Sequence, residues 1–252
     1  MRFDYKYNFL QKLIYNKIEK KTSINCNHII CATETIKRKI EKNFDNLKTI
    51  NLITIMNGYH HNNIFKNKQK KILESKKNIN IGYFGIIDDN KYSYRDIGVI
   101  YNQILKNPNL SKIYNFYFYG PSYIKNKDIL NYKNFNFMEP IDHKIALNKM
   151  TDMNYLLVVH TEEITASEVL TGKLFDYIYA GKPIIVISRG ETEAGKLITK
   201  YKLGININLL KTSLGAVLEK LIDSPFKLKR NEKLIKKFSR ENQNMKILDI
   251  LI

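Results

Sequence analysis

Short apolar runs alternate along the chain with stretches in which apolar residues return every three or four positions. From residue 79 the runs are INIGYFG, YNFYFYG, NFNFME, YLLVVH, PIIVIS and GINI, and between two of them Ile97, Ile100, Tyr101, Ile104 and Leu105 keep helical spacing. Runs this short and this continuous suit strands covered on both faces. Their alternation with helices predicts an α/β fold, a Rossmann-like doubly wound parallel sheet over 78–225. Upstream, helical patterns at 9–20 and 34–44 alternate with HIICAT and TINLITIMNG, which predicts a partial second α/β unit over 1–65. The lysine-rich KNKQKK falls in a connector at 66–77.

A parallel sheet presents its ligands to the carboxyl ends of its strands, where the strand order reverses. Gly85, Gly120, Glu139-Pro140 and His160 close four of the predicted strands, so these positions should border one crevice. Glycine there lets a backbone amide reach a ligand with no Cβ in the way. The stretch TGKLFDYIYAGKPIIVI follows the loop after YLLVVH. It predicts a helix opening at Thr171, Gly172, Lys173 and Leu174, with its free amides and positive dipole end at the crevice, which makes an anion site. Lys173 adds a full charge. Asp176, about one turn on, can accept from two hydroxyls such as a ribose diol. The alternative is a helix-dipole role for Asp176 and a solvated Lys173. Gly181 should end the helix in a left-handed turn and Pro183 should open a central strand.

Composition narrows the picture. The 252 residues, 44% of them apolar, can bury one large core or about one and a half domains. No uncharged apolar run reaches membrane-spanning length and MRFDYKYNFLQKL has no signal-peptide pattern, so a cytoplasmic protein is expected. The net charge is +18, yet only six of 42 basic residues are arginines, and the lysines are spread along the whole chain. That spread suits solvated faces, with a contact to the inner face of a membrane as the alternative. No nucleic-acid-binding module is visible. Cys26 and Cys31 flank His28 in CNHIIC; with no second cluster to complete a zinc site, they read as small buried residues at a strand start. Asp88 and Asp89 are contiguous and followed by Asn90, which reads as turn chemistry rather than a metal site.

GKLFDYIYAGKPIIVI resembles the nucleotide-sugar signature of GT-B glycosyltransferases of the group 1 type. HIICATETIKRKI is similar to the end of that family's N-terminal domain, IMNGYHHNNIF to its interdomain linker, IGYFG to the first strand of its donor domain, and FSRENQNMKILDIL to its terminal helix. The resemblance implies a donor-binding domain at 78–225 and a segment, 226–252, that crosses back to the N-terminal part. It implies that Asp176 contacts the ribose of a nucleoside-diphosphate sugar and that the helix start at Thr171 to Leu174 holds its diphosphate. In IIDDNKYSYRD the phosphate-binding pair of many relatives is replaced, leaving Lys91 and Arg95 as candidates. Glu168, eight residues before Asp176, has the spacing of a donor-sugar contact; a surface-loop position is the alternative. No metal or cofactor is implied. The implied activity is sugar transfer to a glycan or lipid-linked acceptor in surface polysaccharide synthesis; a nucleotide-sugar-binding module or gene remnant without activity, or an epimerase fragment, are the alternatives. Most of the acceptor domain is expected to lie outside the sequence or on a second chain, so no catalytic residue is assigned, and residues 1–65 are expected to pack loosely.

Overall fold

The computed structural model describes residues 8–43, 50–60, 78–91, 93, 95–161 and 167–251. The N-terminal part runs α1 (Phe9–Ile24), β1 (His28–Cys31), α2 (Glu34–Asn43) and β2 (Asn51–Thr54). Asn8 opens α1 with a reciprocal cap: its side chain accepts from the Gln11 N–H, and the Gln11 side chain accepts from the Asn8 N–H. β1 and β2 pair in parallel, His28 opposite Asn51, as a sheet of two strands. Cys31 is the last residue of β1, not a strand start as expected, and burial pushes its thiol pKa up. Phe44 and the connector at 66–77 lie outside the described residues.

The six apolar runs become one six-stranded parallel sheet: β3 (Ile79–Phe84), β5 (Tyr114–Tyr119), β7 (Phe135–Met138), β8 (Tyr155–His160), β9 (Ile184–Ser188) and β10 (Gly204–Asn208). Its order is β10-β9-β8-β3-β5-β7. Counted within the sheet, that is the doubly wound order in which the first and fourth strands are neighbours and the chain reverses direction between them. A further parallel pair, β4 (Ile87–Asp88) with β6 (Ser122–Tyr123), extends the ends of β3 and β5. Two residues carry too little pattern to be read as strands, and this pair was not expected.

Side-chain alternation sorts the core into two layers. Leu156, Val158, Ile184 and Val186 pack against α6 (His143–Asp152), α7 (Gly172–Ala180) and α8 (Glu193–Lys200). Tyr155, Leu157, Val159, Ile185 and Ile187 pack against α3 (Gly98–Lys106) and α9 (Leu214–Asp223). All six residues of β8 are buried, so the central strand is apolar throughout except at His160. Each fully buried Leu, Val or Ile contributes roughly 1.5–3 kcal/mol. Short helices α4 (Pro108–Ser111) and α5 (Lys127–Leu130) bridge strands on the second layer, their Leu110 and Ile129 joining its core.

After α9 the chain forms α10 (Glu232–Lys237) and α11 (Arg240–Leu251) and meets the N-terminal part. The Tyr59 N–H donates to the Phe238 carbonyl at 3.1 Å and the Arg240 N–H donates to the Tyr59 carbonyl at 2.9 Å. The Tyr59 ring stacks on Tyr179 of α7 at 4.4 Å. A Cβ on Gly58 would lie 2.7 Å from the Arg240 nitrogen, so only glycine fits this crossing.

Candidate functional site

The site is built where β3 and β8 part. β3 ends at Gly85 and β5 at Gly120, with φ of 129° and 132°. Both values lie in the left-handed half of backbone space, which only glycine enters without strain. The two glycines sit side by side because Phe84 pairs with Tyr119, and a Cβ on Gly120 would come within 2.8 Å of the Gly85 carbonyl oxygen. Beneath them the Tyr177 hydroxyl accepts from the Phe84 N–H at 2.9 Å, and Phe84 stacks on Tyr119 at 4.8 Å.

α7 approaches from the first layer. Its N-cap, Thr171, is in extended conformation and makes no side-chain cap bond, and no acid stands in its first turn. The Thr171 hydroxyl oxygen is buried and has no hydrogen-bond partner among the described residues. Gly172 is exposed, with nothing within 4 Å of where its Cβ would be. The helix start is thus uncapped and open, its amides and dipole available to an anion. The Leu174 side chain is fully buried in the core and its N–H is turned onto the Thr171 carbonyl at 3.1 Å. That geometry removes Leu174 from the set of free amides expected at the helix start.

Lys173 reaches across the strand ends. Its Nζ stands 3.7 Å from the centroid of the Tyr83 ring and 3.3 Å from the position a Cβ on Gly85 would take. Burial, and then the nearby Arg95 charge, lower its pKa to about 7. The same neighbourhood holds His160 at the end of β8, whose pKa burial, Lys173 and Arg95 lower to about 4, leaving the imidazole neutral. No carboxylate among the described residues pulls the Lys173 pKa back up. A half-buried cation with no compensating acid among the described residues, beside a second cation and an uncapped helix start, is a site shaped for an anion.

Other expected residues fall in different places. Arg95 belongs to the cluster, carried there by a loop that the Thr161 hydroxyl ties down by donating to the Ser93 carbonyl at 2.8 Å. Lys91 is exposed on the preceding turn. Asp176 does not share a direction with Lys173; it faces the start of α6, where its Oδ2 lies 3.0 Å from His143 Nε2. Burial raises the Asp176 pKa and the His143 bond opposes that rise. Glu168 is buried, not a surface-loop residue, and is ion-paired with Lys39 of α2. Glu139 and Pro140 are exposed on the loop before α6. Asp88 accepts from the Asn90 N–H and the Ser93 hydroxyl, and Asp89 accepts from the Lys125 and Asn126 N–H groups at 2.8 and 2.7 Å. Asp88 is therefore engaged in its own turn, in keeping with the turn reading, whereas Asp89 holds the distant loop at Lys125 and Asn126.

Tyr83 and His143 were not singled out from the sequence. Tyr83 sits inside an apolar strand, where nothing separates a platform for a cation from an ordinary core tyrosine. His143 opens a helix directly after a strand-end loop, and that placement was its one visible signal.

No family model and no curated protein sequence matches the chain. Solved structures do. Anabaena HepE in complex with UDP and glucose superposes with a TM-score of 0.66 at 14% identity, covering 94% of this chain and 66% of its own. The α,α-trehalose-phosphate synthase (UDP-forming) of Burkholderia vietnamiensis gives 0.63 at 8% identity, covering 98% of this chain and 64% of that one. Sucrose-phosphate synthase from Thermosynechococcus elongatus gives 0.65 at 12% identity, covering 99% and 64%. The chain therefore spans under two thirds of the length of each of these neighbours. At these identities the likeness shows the fold, and the fold is that of the GT-B glycosyltransferases.

Proposed function

We propose that the crevice between β3 and β8 binds the nucleoside diphosphate of a sugar donor, and that the chain serves transfer of that sugar to a glycan or lipid-linked acceptor in surface polysaccharide synthesis. The observation that carries the reading is the Lys173 ammonium, set over the Tyr83 ring at the glycine-closed strand ends, with Arg95 nearby and the open start of α7 beside it. Solved neighbours of the same fold hold UDP or UDP-glucose, which supports a nucleotide-sugar ligand. In this reading the amides of Gly172 and Lys173 and the Lys173 ammonium meet the diphosphate. Gly85 and Gly120 keep the strand ends clear of side chains. Asp176, held by His143, accepts from the ribose hydroxyls.

The chemistry follows from where charge grows. Breaking the bond between sugar and diphosphate leaves negative charge on the departing phosphate oxygen, and fixed amides and a buried cation stabilise that charge more than they stabilise the intact donor. The acceptor binds across the crevice from the donor; residues 8–43 and 50–60 belong to that side, and the remaining acceptor surface comes from outside the described residues.

A thermal-shift series of nucleoside diphosphates, nucleoside-diphosphate sugars, nucleosides and inorganic phosphate tests the reading. A ligand at 100 times its dissociation constant adds about 2.7 kcal/mol, which for a chain of this size is a rise of roughly 5–10 °C. Diphosphates should raise the melting temperature more than the matching nucleosides. A flat response to every diphosphate at millimolar concentration would remove the proposal.

A further inference from the structure

The Lys173 amine is placed to react beside an anion as well as to hold one. Its Nζ lies 3.7 Å from the centroid of the Tyr83 ring and 3.3 Å from where a Cβ on Gly85 would stand. The residue before it, Gly172, is the exposed first residue of α7. The first N–H groups of a helix have no partner within it, and the buried Thr171 hydroxyl, without a hydrogen-bond partner among the described residues, adds a donor at the same start. The groups around the amine keep its neutral form within reach. Arg95 brings a second positive charge, His160 a neutral ring and Tyr83 the face of a ring, and no carboxylate among the described residues offsets them. Burial and then Arg95 bring the Lys173 pKa to about 7, whereas a lysine in ordinary surroundings titrates at 10.5. Desolvation and a neighbouring cation are the means by which a lysine is made nucleophilic in water.

A nucleophile beside a phosphate seat selects one class of reagent, a compound that carries its electrophile on a phosphate. We propose that Lys173 is a modification site for acyl phosphates: the start of α7 seats the phosphate and the Lys173 amine takes the acyl group. This rests on the reading of the crevice as a phosphate site. In the step, the amine lone pair bonds to the acyl carbon while the carbon–oxygen bond to the phosphate breaks, its electron pair leaving on the phosphate oxygen. The amine proton passes to that phosphate. The products are inorganic phosphate and an amide at Lys173, which carries no charge, so the modification removes the cation from the diphosphate site. A phosphate beside Nζ favours the ammonium. Even after a rise of about two units, the neutral share of Lys173 at pH 8 is roughly 30 times that of a lysine at 10.5.

The test treats the full chain at pH 8 with millimolar acetyl phosphate and, in parallel, with p-nitrophenyl acetate, which carries no phosphate, and follows each lysine by quantitative peptide mass spectrometry. With acetyl phosphate, Lys173 should be acetylated roughly ten-fold or more faster than the median lysine, and UDP or pyrophosphate should slow it by about ten-fold. With the ester its lead should be smaller. Gly172→Pro isolates the helix start. Thr171, at φ −73° and ψ 147°, already has the extended backbone required before proline. Nothing stands within 4 Å of the added Cβ, and proline suits the first helical position while removing its N–H. This variant should melt with the parent, react several-fold more slowly with acetyl phosphate at Lys173 and keep its rate with the ester. Loss of the UDP-induced thermal shift should follow the acetyl occupancy of Lys173, not the total over the chain. Lys173 reacting no faster than the median lysine overturns the proposal, and a UDP-induced shift in the same samples would then leave the crevice reading standing. An equal lead with both reagents, indifferent to UDP, would show a reactive amine without a phosphate seat and overturn both. Acetylation of Lys173 that left the UDP shift unchanged would place the amine away from the diphosphate and also overturn it.

Discussion

The pH dependence of diphosphate binding should report the state of Lys173. In the unfolded chain its amine holds a proton up to its ordinary value of 10.5; in the folded chain burial and Arg95 bring that value to about 7. The folded state therefore carries the full penalty of the buried ammonium below about pH 7. It sheds the penalty as the pH rises toward 10.5, so this residue makes the fold more stable with rising pH across that window. A diphosphate beside Nζ favours the charged form and raises the value again, so binding above pH 7 must take up a proton. Phosphate ionises near 6 and His160 near 4, so neither competes above pH 7.5. If binding raises the Lys173 value by about two units, affinity should fall roughly ten-fold between about pH 7.5 and 9. Titration calorimetry with UDP at pH 8, in two buffers of different ionisation enthalpy, measures the uptake directly. The expected result is close to one proton per site, lost in Lys173→Met, which should also melt higher than the parent at low pH. Identical heats in the two buffers, or uptake that persists in Lys173→Met, would refute the assignment of Lys173 to the phosphates.

Asp176→Asn should weaken uridine and UDP alike, by roughly ten-fold, about 1.4 kcal/mol, without lowering the melting temperature; unequal losses in side-by-side calorimetry would place Asp176 away from the ribose. Gly120→Ala forces a Cβ to within 2.8 Å of the Gly85 carbonyl oxygen at a φ of 132°. Such strain is of order 1–3 kcal/mol and should lower the melting temperature by about 3–10 °C in a calorimetric scan. Tyr177→Phe leaves the Phe84 N–H without its acceptor in a buried site. Denaturant unfolding should show a loss of about 1–3 kcal/mol with an unchanged slope.

The sheet was legible because a parallel strand covered on both faces leaves an uninterrupted apolar run, as β8 and β9 do, and each of the six runs is a strand of the one sheet. The N-terminal helix read as 9–20 continues to Ile24, since Thr22 and Ser23 break the apolar pattern without breaking the helix. The helix at 171–181 was legible at both ends: Gly181 takes the left-handed turn at a φ of 67° and β9 follows directly after Pro183. What remained hidden depends on contacts between residues far apart in sequence. Lys173 and Asp176 are three residues apart, yet Tyr83 draws one and His143 the other, and spacing along a helix does not record what stands opposite. Glu168 pairs with Lys39, 129 positions away by subtraction, and no local pattern announces such a partner. Leu174 was grouped with the open amides, whereas its apolar side chain already marked it for the core.

Because Tyr59 gives its N–H to Phe238 and takes one from Arg240, the chain leaving the N-terminal part and the chain returning to it are laced together at one point. Two bodies joined by separate tethers can slide as well as turn; tethers tied to each other leave a pivot. A swing of residues 8–43 and 50–57 against the large sheet would then be a rotation about Gly58, Tyr59 and Ser239, with the stacked Tyr59 and Tyr179 rings as its bearing surface, and it would have to part Lys39 from Glu168. In such a hinge the space between the two parts would open by angle: distances near the pivot would stay fixed, and displacement would grow with distance from it.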